Sequence, residues 1–193
     1  MTTALSPDAT FIQHTADSAP EGARETLAAL QQGLGFVPNL FATMAESPPA
    51  VNGYLALDGV LARGAFTPSQ RQLLATVVSS ENGCAYCTAA HSTFAGSLRA
   101  APDAVAAARA DAATAADPKT AALLAFTRAL MRARGHADPS ALATFLAAGF
   151  TKAQAMEVAA HIGLKTISNY IDGFAHVPLD GAFAPQRWEP AAD

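Results

Sequence analysis

Three helix-start signals of the same kind constrain the fold of this chain most strongly. Thr67, Asp117 and Asp138 are each followed directly by a proline. Threonine and aspartate cap helix N-termini, and proline is favoured at the first helical position. Between these signals alanine is frequent, and apolar residues recur with the period of a helix instead of alternating as in a strand. The sequence therefore predicts an all-α fold.

The same periodicity divides the chain into nine predicted helices. No segment has the alternating pattern of a strand hairpin. The predicted helices cover about residues 21–34, 38–46, 48–63, 68–81, 84–98, 101–112, 117–134, 139–148 and 151–171.

These helices predict one helical domain over residues 21–177, flanked by two segments of different character. Residues 1–20 lack periodicity and are expected to form an extended arm. Residues 178–193 contain three prolines and are expected to form a non-helical tail that packs through Phe183 and Trp188. Within the domain, two pairs of helices around short turns, 68–98 and 139–171, suggest a diverged repeat of a helical hairpin.

Composition narrows the classes of partner. The chain has 193 residues, of which 51% are hydrophobic and only 15% charged, so part of its surface is expected to form a homo-oligomer interface. The net charge is −4 and there is no basic run, which argues against nucleic acid or an anionic membrane as a partner. No apolar run reaches the roughly 18 residues of a membrane span, and the first residues do not resemble a secretory signal. We therefore expect a cytoplasmic protein.

Both cysteines of the chain lie in one short segment, SSENGCAYCTAAHS, residues 79–92. Asn82 and Gly83 are expected to end one helix, and the next begins at Cys84. Cys84, Cys87 and His91 then stand at i, i+3 and i+7, on one face of that helix. The helix N-terminus is expected to favour the thiolate of Cys84, while His91 can accept the proton of Cys87.

Three interpretations of this segment remain open from the residues alone. The cysteines could be small buried apolar residues beside a core histidine. They could bind zinc with His91, although the usual second ligand pair is absent and the histidines at 136, 161 and 176 are isolated. The third interpretation, a dithiol redox centre that needs no metal or bound cofactor, is favoured because all three side chains share one face directly after a helix break.

The residues around the cysteines resemble a known superfamily. The segment SQRQLLATVVSSENGCAYCTAAHS is similar to the core of the alkylhydroperoxidase AhpD-like / carboxymuconolactone decarboxylase superfamily, near the subgroup of peroxidase-related proteins. The similarity extends from LGFVPNLFATM upstream to HIGLKTISNYIDGFAHVPLD downstream, about residues 33–180.

This resemblance implies an AhpD-like helical bundle that assembles as a dimer, trimer or hexamer. It implies that Cys87 attacks a hydroperoxide, that Cys84 resolves the sulfenic acid into a disulfide, and that His91 belongs to the proton relay. An external dithiol or lipoyl-type reductant would restore the thiols. The decarboxylase branch usually lacks the cysteine pair, so the pair argues against that activity.

One position departs from the pattern of the peroxidase branch. That branch carries a glutamate twelve residues before the first cysteine, where this chain has Gln72. An amide cannot relay a proton as a carboxylate does, although it can hold a water near the thiols. Glu81 is the nearest carboxylate in sequence; it either replaces the missing glutamate or is a solvated helix-end residue. Tyr86 stands where some members have a second histidine.

A row of polar residues on the last predicted helix needs an explanation as well. His161, Lys165, Ser168 and Asp172 recur with helical spacing. The simplest interpretation is an exposed polar face; the alternative, suggested by the resemblance, is that His161 or Asn169 borders the site.

The sequence thus predicts a small thiol oxidoreductase that reduces hydroperoxides through a Cys84–Cys87 disulfide. Two alternatives remain: an activity like that of carboxymuconolactone decarboxylase, and a non-enzymatic dithiol redox sensor.

Overall fold

The computed structural model describes residues 10–110 and 114–190, and every regular element in them is a helix. The all-α prediction is therefore confirmed. None of the described helices has both the length and the apolar character needed to cross a lipid bilayer. The elements are α1 (Glu21–Leu34), α2 (Asn39–Met44), α3 (Pro48–Leu61), α4 (Pro68–Glu81), α5 (Ala85–Ser97), α6 (Pro102–Arg109), α7 (Pro118–Arg132), α8 (Pro139–Ala147), α9 (Lys152–Ala175) and a C-terminal 3₁₀ helix (Gly181–Gln186).

The predicted helix starts follow from local capping. The side chain of Thr67 accepts the N–H of Gln70 at 3.2 Å, and Gln70 in return accepts the N–H of Thr67 at 3.0 Å. Thr151 and Gln154 form the same reciprocal box at the start of α9. Because these contacts satisfy N–H groups that a helix leaves unpaired, capping fixes each start within the local sequence.

The structure differs from the sequence prediction at the end of α9 and in the C-terminal tail. Helix α9 continues to Ala175, about one turn beyond the predicted end. The predicted non-helical tail contains the 3₁₀ helix, which forms because Phe183 is buried and anchors this segment on the core. The last predicted residues of α6, 111–112, lie outside the described residues, as do 1–9 of the arm and 191–193 of the tail; residues 10–20 contain no helix.

Helix α4 lies at the centre of the bundle and packs against α5, α6, α7 and α9. Its buried stretch from Leu73 to Ser79 contributes to the apolar clusters on both of its sides. Helices α4 and α5 pack along each other as a hairpin, whereas α8 packs mainly on α7. The hairpin repeat suggested by the sequence is therefore not visible as a repeated packing arrangement, and it stays a prediction.

The N-terminal half of α5 belongs to a third apolar cluster, formed with α1, α2, α3 and the C-terminal segment. Cys84 and Cys87 are members of this cluster, together with Leu27, Tyr54 and Phe183. The tertiary fold therefore surrounds the cysteine pair with helices that are far apart in the sequence.

Candidate active site

The cysteine pair begins α5 directly after the tight turn from α4. Gly83 has φ 68°, a left-handed conformation that glycine adopts without strain. Cys84 is the N-cap residue, and its Sγ accepts the backbone N–H of Cys87 at 3.3 Å. Both cysteines are free thiols and both are buried. The turn thus places the two side chains together at the helix start, as the spacing predicted.

Cys84 contacts a carboxylate from α9. Its Sγ donates to Oδ2 of Asp172 at 3.2 Å. Its hydrogen bond with Cys87, burial and the negative charge of Asp172 all raise the pKa of Cys84 above the ordinary value of 9.0. The helix N-terminus does favour the thiolate of Cys84, because the backbone N–H of Cys87 lowers its pKa, but the other causes outweigh this effect and the net shift is upward.

Cys87 is the more acidic thiol of the pair. Its Sγ lies 4.0 Å from Nζ of Lys165 and 4.0 Å from Oγ of Ser168, both on α9. The hydrogen bond with Cys84 lowers the pKa of Cys87, burial raises it, and the charge of Lys165 lowers it again; the net value falls from 9.0 to about 7. Of the two thiols, Cys87 is therefore the one that its surroundings favour as a thiolate.

Lys165 is a buried cation beside the reactive sulfur. Its Nζ donates to the hydroxyls of Tyr54 at 3.0 Å and Ser168 at 2.8 Å. Burial lowers the pKa of Lys165, but the charges of Cys87 and Tyr54 raise it by more, so the net shift is upward. Lys165 therefore stays protonated at neutral pH.

The polar row on α9 is buried, so its prediction as an exposed face is wrong. Lys165, Ser168 and Asn169 are each less than 5% exposed. Asn169 donates to Ser79 Oγ at 3.2 Å and accepts from Asn82 at 2.9 Å, which ties α9 to the turn before Cys84. The burial of these polar groups is tolerated because they form hydrogen bonds to one another and to the neighbouring helices, which replace their hydrogen bonds to water.

His161, on the same row, lies apart from the thiols. It is buried with its ring edge against Phe66, and its Nε2 has no hydrogen-bond partner among residues 10–110 and 114–190. Burial, followed by the charge of Arg71, lowers the pKa of His161 to about 4. It is not among the residues that line the cavity at Cys87. The structure therefore does not bring His161 to the site.

His91 and Gln72 form a hydrogen-bonded pair across α4 and α5. Nδ1 of His91 lies 2.7 Å from Oε1 of Gln72, so Nδ1 must carry the hydrogen and Nε2 is an acceptor. Burial, then the charges of Lys165 and Arg71, lower the pKa of His91 well below 6.5. The ring is therefore neutral, and it faces the same cavity as Cys87.

Glu81 faces away from the thiols. Its carboxylate accepts from Arg128 at 3.2 Å and from Arg132 at 2.8 Å. Glu81 is therefore neither a substitute for the missing glutamate nor a freely solvated residue. The carboxylate at the dithiol is Asp172, on a different helix.

Tyr86 forms part of the cavity wall. Its hydroxyl donates to Asp180 and accepts the N–H of Leu40 at 3.3 Å. Burial and the hydrogen bond to Asp180 raise the pKa of Tyr86, so it stays neutral. Tyr86 thereby fastens α5 to α2 and to the C-terminal segment.

One cavity of about 330 Å³ leads to Cys87. Cys84, Glu81 and His161 do not line it. Four other cavities formed by the described residues contain neither cysteine. The polar part of the wall consists of Cys87, His91, Gln72, Lys165, Asp58 and the two tyrosines; the rest is apolar, with Leu30, Leu34, Pro38, Leu40, Phe41, Leu55, Ala90, Phe94 and Phe183.

The residues at this site do not form a metal centre. Among the described residues, no group of three or more histidine, cysteine or acidic side chains is arranged to hold an ion. His91, the third ligand of the zinc interpretation, turns to Gln72 instead. A cation would also have to occupy a site where Lys165 already places a positive charge.

Three members of this site were missed or misjudged from the sequence: Lys165, Ser168 and Asp172. Their signal was present, because they follow the helical spacing of one face. That face of α9 is polar in a chain with few charged residues. Spacing alone, however, does not show whether a polar helix face contacts water or a buried thiol.

Comparisons with known proteins agree with this fold. Residues 48–129 match the model of the carboxymuconolactone decarboxylase family. The structure is similar to an uncharacterized peroxidase-related protein of Ralstonia eutropha JMP134, described as an alkylhydroperoxidase AhpD core, with TM-score 0.82 and 22% identity over 96% of this chain and 100% of that one. No curated protein sequence matches the chain significantly.

Two further solved structures have the same fold. A peroxidase-related protein of Silicibacter sp. TM1040 has TM-score 0.76 and 21% identity, over 95% of this chain and 97% of that one. The debrominase Bmp8 has TM-score 0.76 and 22% identity over the same shares. The match to the carboxymuconolactone decarboxylase family runs from the start of α3 into α7, and the fold that the chain shares with these AhpD-like structures covers nearly its whole length.

Proposed function

We propose that this protein is a thiol oxidoreductase that reduces an apolar hydroperoxide through a Cys84–Cys87 disulfide. The observation that carries the proposal is the asymmetry of the pair: Cys87 lines the cavity 4.0 Å from an ammonium group, while Cys84 donates to a carboxylate behind it. Such a difference supports Cys87 as the nucleophile and Cys84 as the resolving thiol.

In the first step the Cys87 thiolate attacks the terminal oxygen of the hydroperoxide. The O–O bond breaks, its electron pair leaves with the alkoxide, and Cys87 becomes a sulfenic acid. Lys165 supplies the proton that converts the alkoxide to an alcohol. The neutral ring of His91 accepts the hydroperoxide O–H at Nε2 and orients it, because Nδ1 is held by Gln72.

In the second step the Cys84 sulfur attacks the Cys87 sulfur. The S–O bond breaks and the disulfide forms. Asp172 takes the proton of Cys84 and passes it to the departing hydroxide, which leaves as water. One hydroperoxide and two thiols thus give one alcohol, one water and one disulfide.

The cycle needs an external reductant, for which we propose a dithiol or lipoyl-type protein in the cytoplasm. Two electrons from that dithiol restore both thiols. We also propose a homo-oligomer (dimer, trimer or hexamer). Exposed apolar side chains on α9, namely Met156, Ile167, Tyr170 and Phe174, support an interface.

A second candidate function is reductive dehalogenation of a small aromatic compound. The debrominase Bmp8 shares the fold, and a cysteine-to-alanine variant of it is known in complex with 2,3,4-tribromopyrrole. The specific observation in this protein is that Phe41, Phe94 and Phe183 line the cavity at Cys87. The two thiols would supply two electrons, a proton would replace bromine on the ring, and bromide would leave.

Thiol titration before and after one equivalent of cumene hydroperoxide tests the proposal. We expect both thiols to disappear, the protein mass to fall by two hydrogens, and turnover to follow when a dithiol is added. Cys87→Ser should consume no peroxide, and Cys84→Ser should leave a sulfenic acid at Cys87 that dimedone labels. Wild-type rates in Cys87→Ser would refute the nucleophile.

The same assay separates the alternatives. A decarboxylase-like activity would survive alkylation of both cysteines with iodoacetamide. A redox sensor would form the disulfide once and show no turnover with any reductant. Release of bromide from tribromopyrrole, with no consumption of peroxide, would favour the dehalogenase.

A further inference from the structure

Lys165 is a buried cation without a carboxylate partner. It is 2% exposed, and its Nζ contacts the hydroxyls of Tyr54 and Ser168 and the sulfur of Cys87. In the described part of the chain, no carboxylate oxygen lies within 4.0 Å of it. Buried charges in proteins are normally paired, because an unpaired one carries a large desolvation cost. Among the three contacts, a thiol ionises most readily near neutral pH.

The other charged groups around this contact do not replace the missing anion. Asp172 reaches the pair from α9 but bonds to Cys84, and His91 is neutral. Arg71 and Asp58 form their own ion pair at 2.6 Å. Among the described residues, the titratable and charged groups around the Lys165–Cys87 contact are Cys84, Tyr54, Tyr86, His91, Asp172, Asp58 and Arg71.

We infer that the Cys87 thiolate is the counter-ion of Lys165, and that disulfide formation, by removing this counter-ion, makes the Cys84–Cys87 disulfide easy to reduce. The inference rests on the proposed function only in that the two cysteines form a disulfide. It adds a property of the protein itself, its redox equilibrium, which does not depend on the substrate.

The physical reason is a difference in charge pairing between the two redox states. In the dithiol form the ammonium of Lys165 faces a thiolate. In the disulfide form the same sulfur is neutral, so the ammonium of Lys165 is left with two hydroxyls, which is unfavourable. Reduction by an external dithiol adds two electrons, protonates Cys84 and regenerates the thiolate, while the donor becomes a disulfide. Stabilising the reduced form in this way makes a disulfide more oxidising.

The test is the equilibrium of the full chain with a glutathione redox buffer, compared between wild type, Lys165→Met and Lys165→Arg. We expect Lys165→Met to shift the equilibrium constant about tenfold toward the disulfide, which corresponds to a potential about 30 mV more negative. In Lys165→Met, the midpoint of the thiolate titration, followed by absorbance at 240 nm, should lie at least about one pH unit above that of wild type, because a nearby opposite charge has been removed. Lys165→Arg should restore both values toward wild type.

Lys119→Met is the matched control. Lys119 lies over the ring of Phe150, away from the thiols, so its loss removes one positive charge without changing the site. Circular dichroism of every variant checks the fold. Equal equilibrium constants and equal thiolate titrations in wild type and Lys165→Met would overturn the inference.

A measurement on the wild type alone keeps the inference testable if Lys165→Met does not fold. If Cys87 is a thiolate in the reduced form, reduction of the disulfide above the pKa of Cys87 takes up one proton instead of two. The slope of the reduction potential against pH therefore halves above that pH. An unbroken slope up to about pH 9, the ordinary range of a thiol, would refute the counter-ion. This titration uses no peroxide, so it is independent of the proposed function. If the slope changes as expected but the protein does not reduce hydroperoxides, only the proposed function is refuted.

Discussion

The Sγ atom of Cys84 lies 3.2 Å from Oδ2 of Asp172, which belongs to a helix 88 positions further along the chain. This contact places a carboxylate at the dithiol in a protein that has Gln72 where the peroxidase branch is expected to have glutamate. Burial raises the pKa of Asp172, which brings its proton affinity closer to that needed for proton transfer near neutral pH.

Asp172→Asn should slow the formation of the disulfide, because an amide cannot accept the proton of Cys84. We expect a loss of about 10²-fold in the resolving step, typical of a missing general base. The measurement is the fraction of Cys87 labelled by dimedone after one equivalent of peroxide, which should rise. Asp138→Asn is the control, since asparagine caps a helix as well as aspartate. An unchanged rate of disulfide formation in Asp172→Asn would exclude Asp172 as the acceptor.

Gln72→Glu should increase peroxide reduction severalfold. A carboxylate that accepts from Nδ1 of His91 would raise the pKa of that ring, and thus its proton affinity at Nε2. Initial rates and a histidine titration by NMR measure the two effects. Gln70→Glu adds the same charge to α4 and keeps the capping box, so it should behave as wild type. If Gln72→Glu has the wild-type rate, the relay does not pass through position 72.

Alkylation of the reduced protein should follow the ionisation of Cys87. Its pKa is about 7 in the folded state and 9.0 ordinarily, so the thiolate is present above about pH 7 and is lost as pH falls through that value. Rates with iodoacetamide, located by peptide mass spectrometry, should reach half their plateau near pH 7 at Cys87. Cys84, whose pKa is raised, should react only at much higher pH. A common midpoint near pH 9 for both thiols would contradict this asymmetry.

Phe183→Ala should destabilise the protein by about 3–5 kcal/mol, the usual cost of removing a buried phenylalanine. The ring packs against Tyr86 and Phe94, with centroids at 5.9 and 5.5 Å, and forms part of the cavity wall. Denaturant unfolding measures the loss. Phe174→Ala, which removes a ring that is 54% exposed, should cost much less. Equal stability of the two variants would mean that the C-terminal segment does not support the cavity.

Local signals made the helix starts predictable. Thr67 with Gln70 and Thr151 with Gln154 are complete within four residues, so no tertiary information is needed to place α4 and α9. The cysteine pair was likewise predictable, because Gly83 ends one helix and a three-residue spacing brings Cys84 and Cys87 together.

The environment of the thiols was not predictable in the same way. The sequence predicted that the helix N-terminus would favour the thiolate of Cys84 and that His91 would accept the proton of Cys87. In the structure the pKa of Cys84 is raised and that of Cys87 is lowered. The difference arises first from the hydrogen bond between the two cysteines and from burial, to which Asp172 and Lys165 on α9 add their charges. Likewise Glu81, the carboxylate nearest to Cys84 in sequence, pairs with Arg128 and Arg132 on α7 instead.

The sequence by itself determined the helices, where they start and the presence of a dithiol at the start of α5, because these depend on contacts within a few residues. Only the tertiary structure decided which sulfur is acidic, which carboxylate serves it and what lines the cavity. The physical reason is that a pKa depends on burial and on charges within a few ångströms, and in a helical bundle most of those charges come from helices that are distant in the sequence.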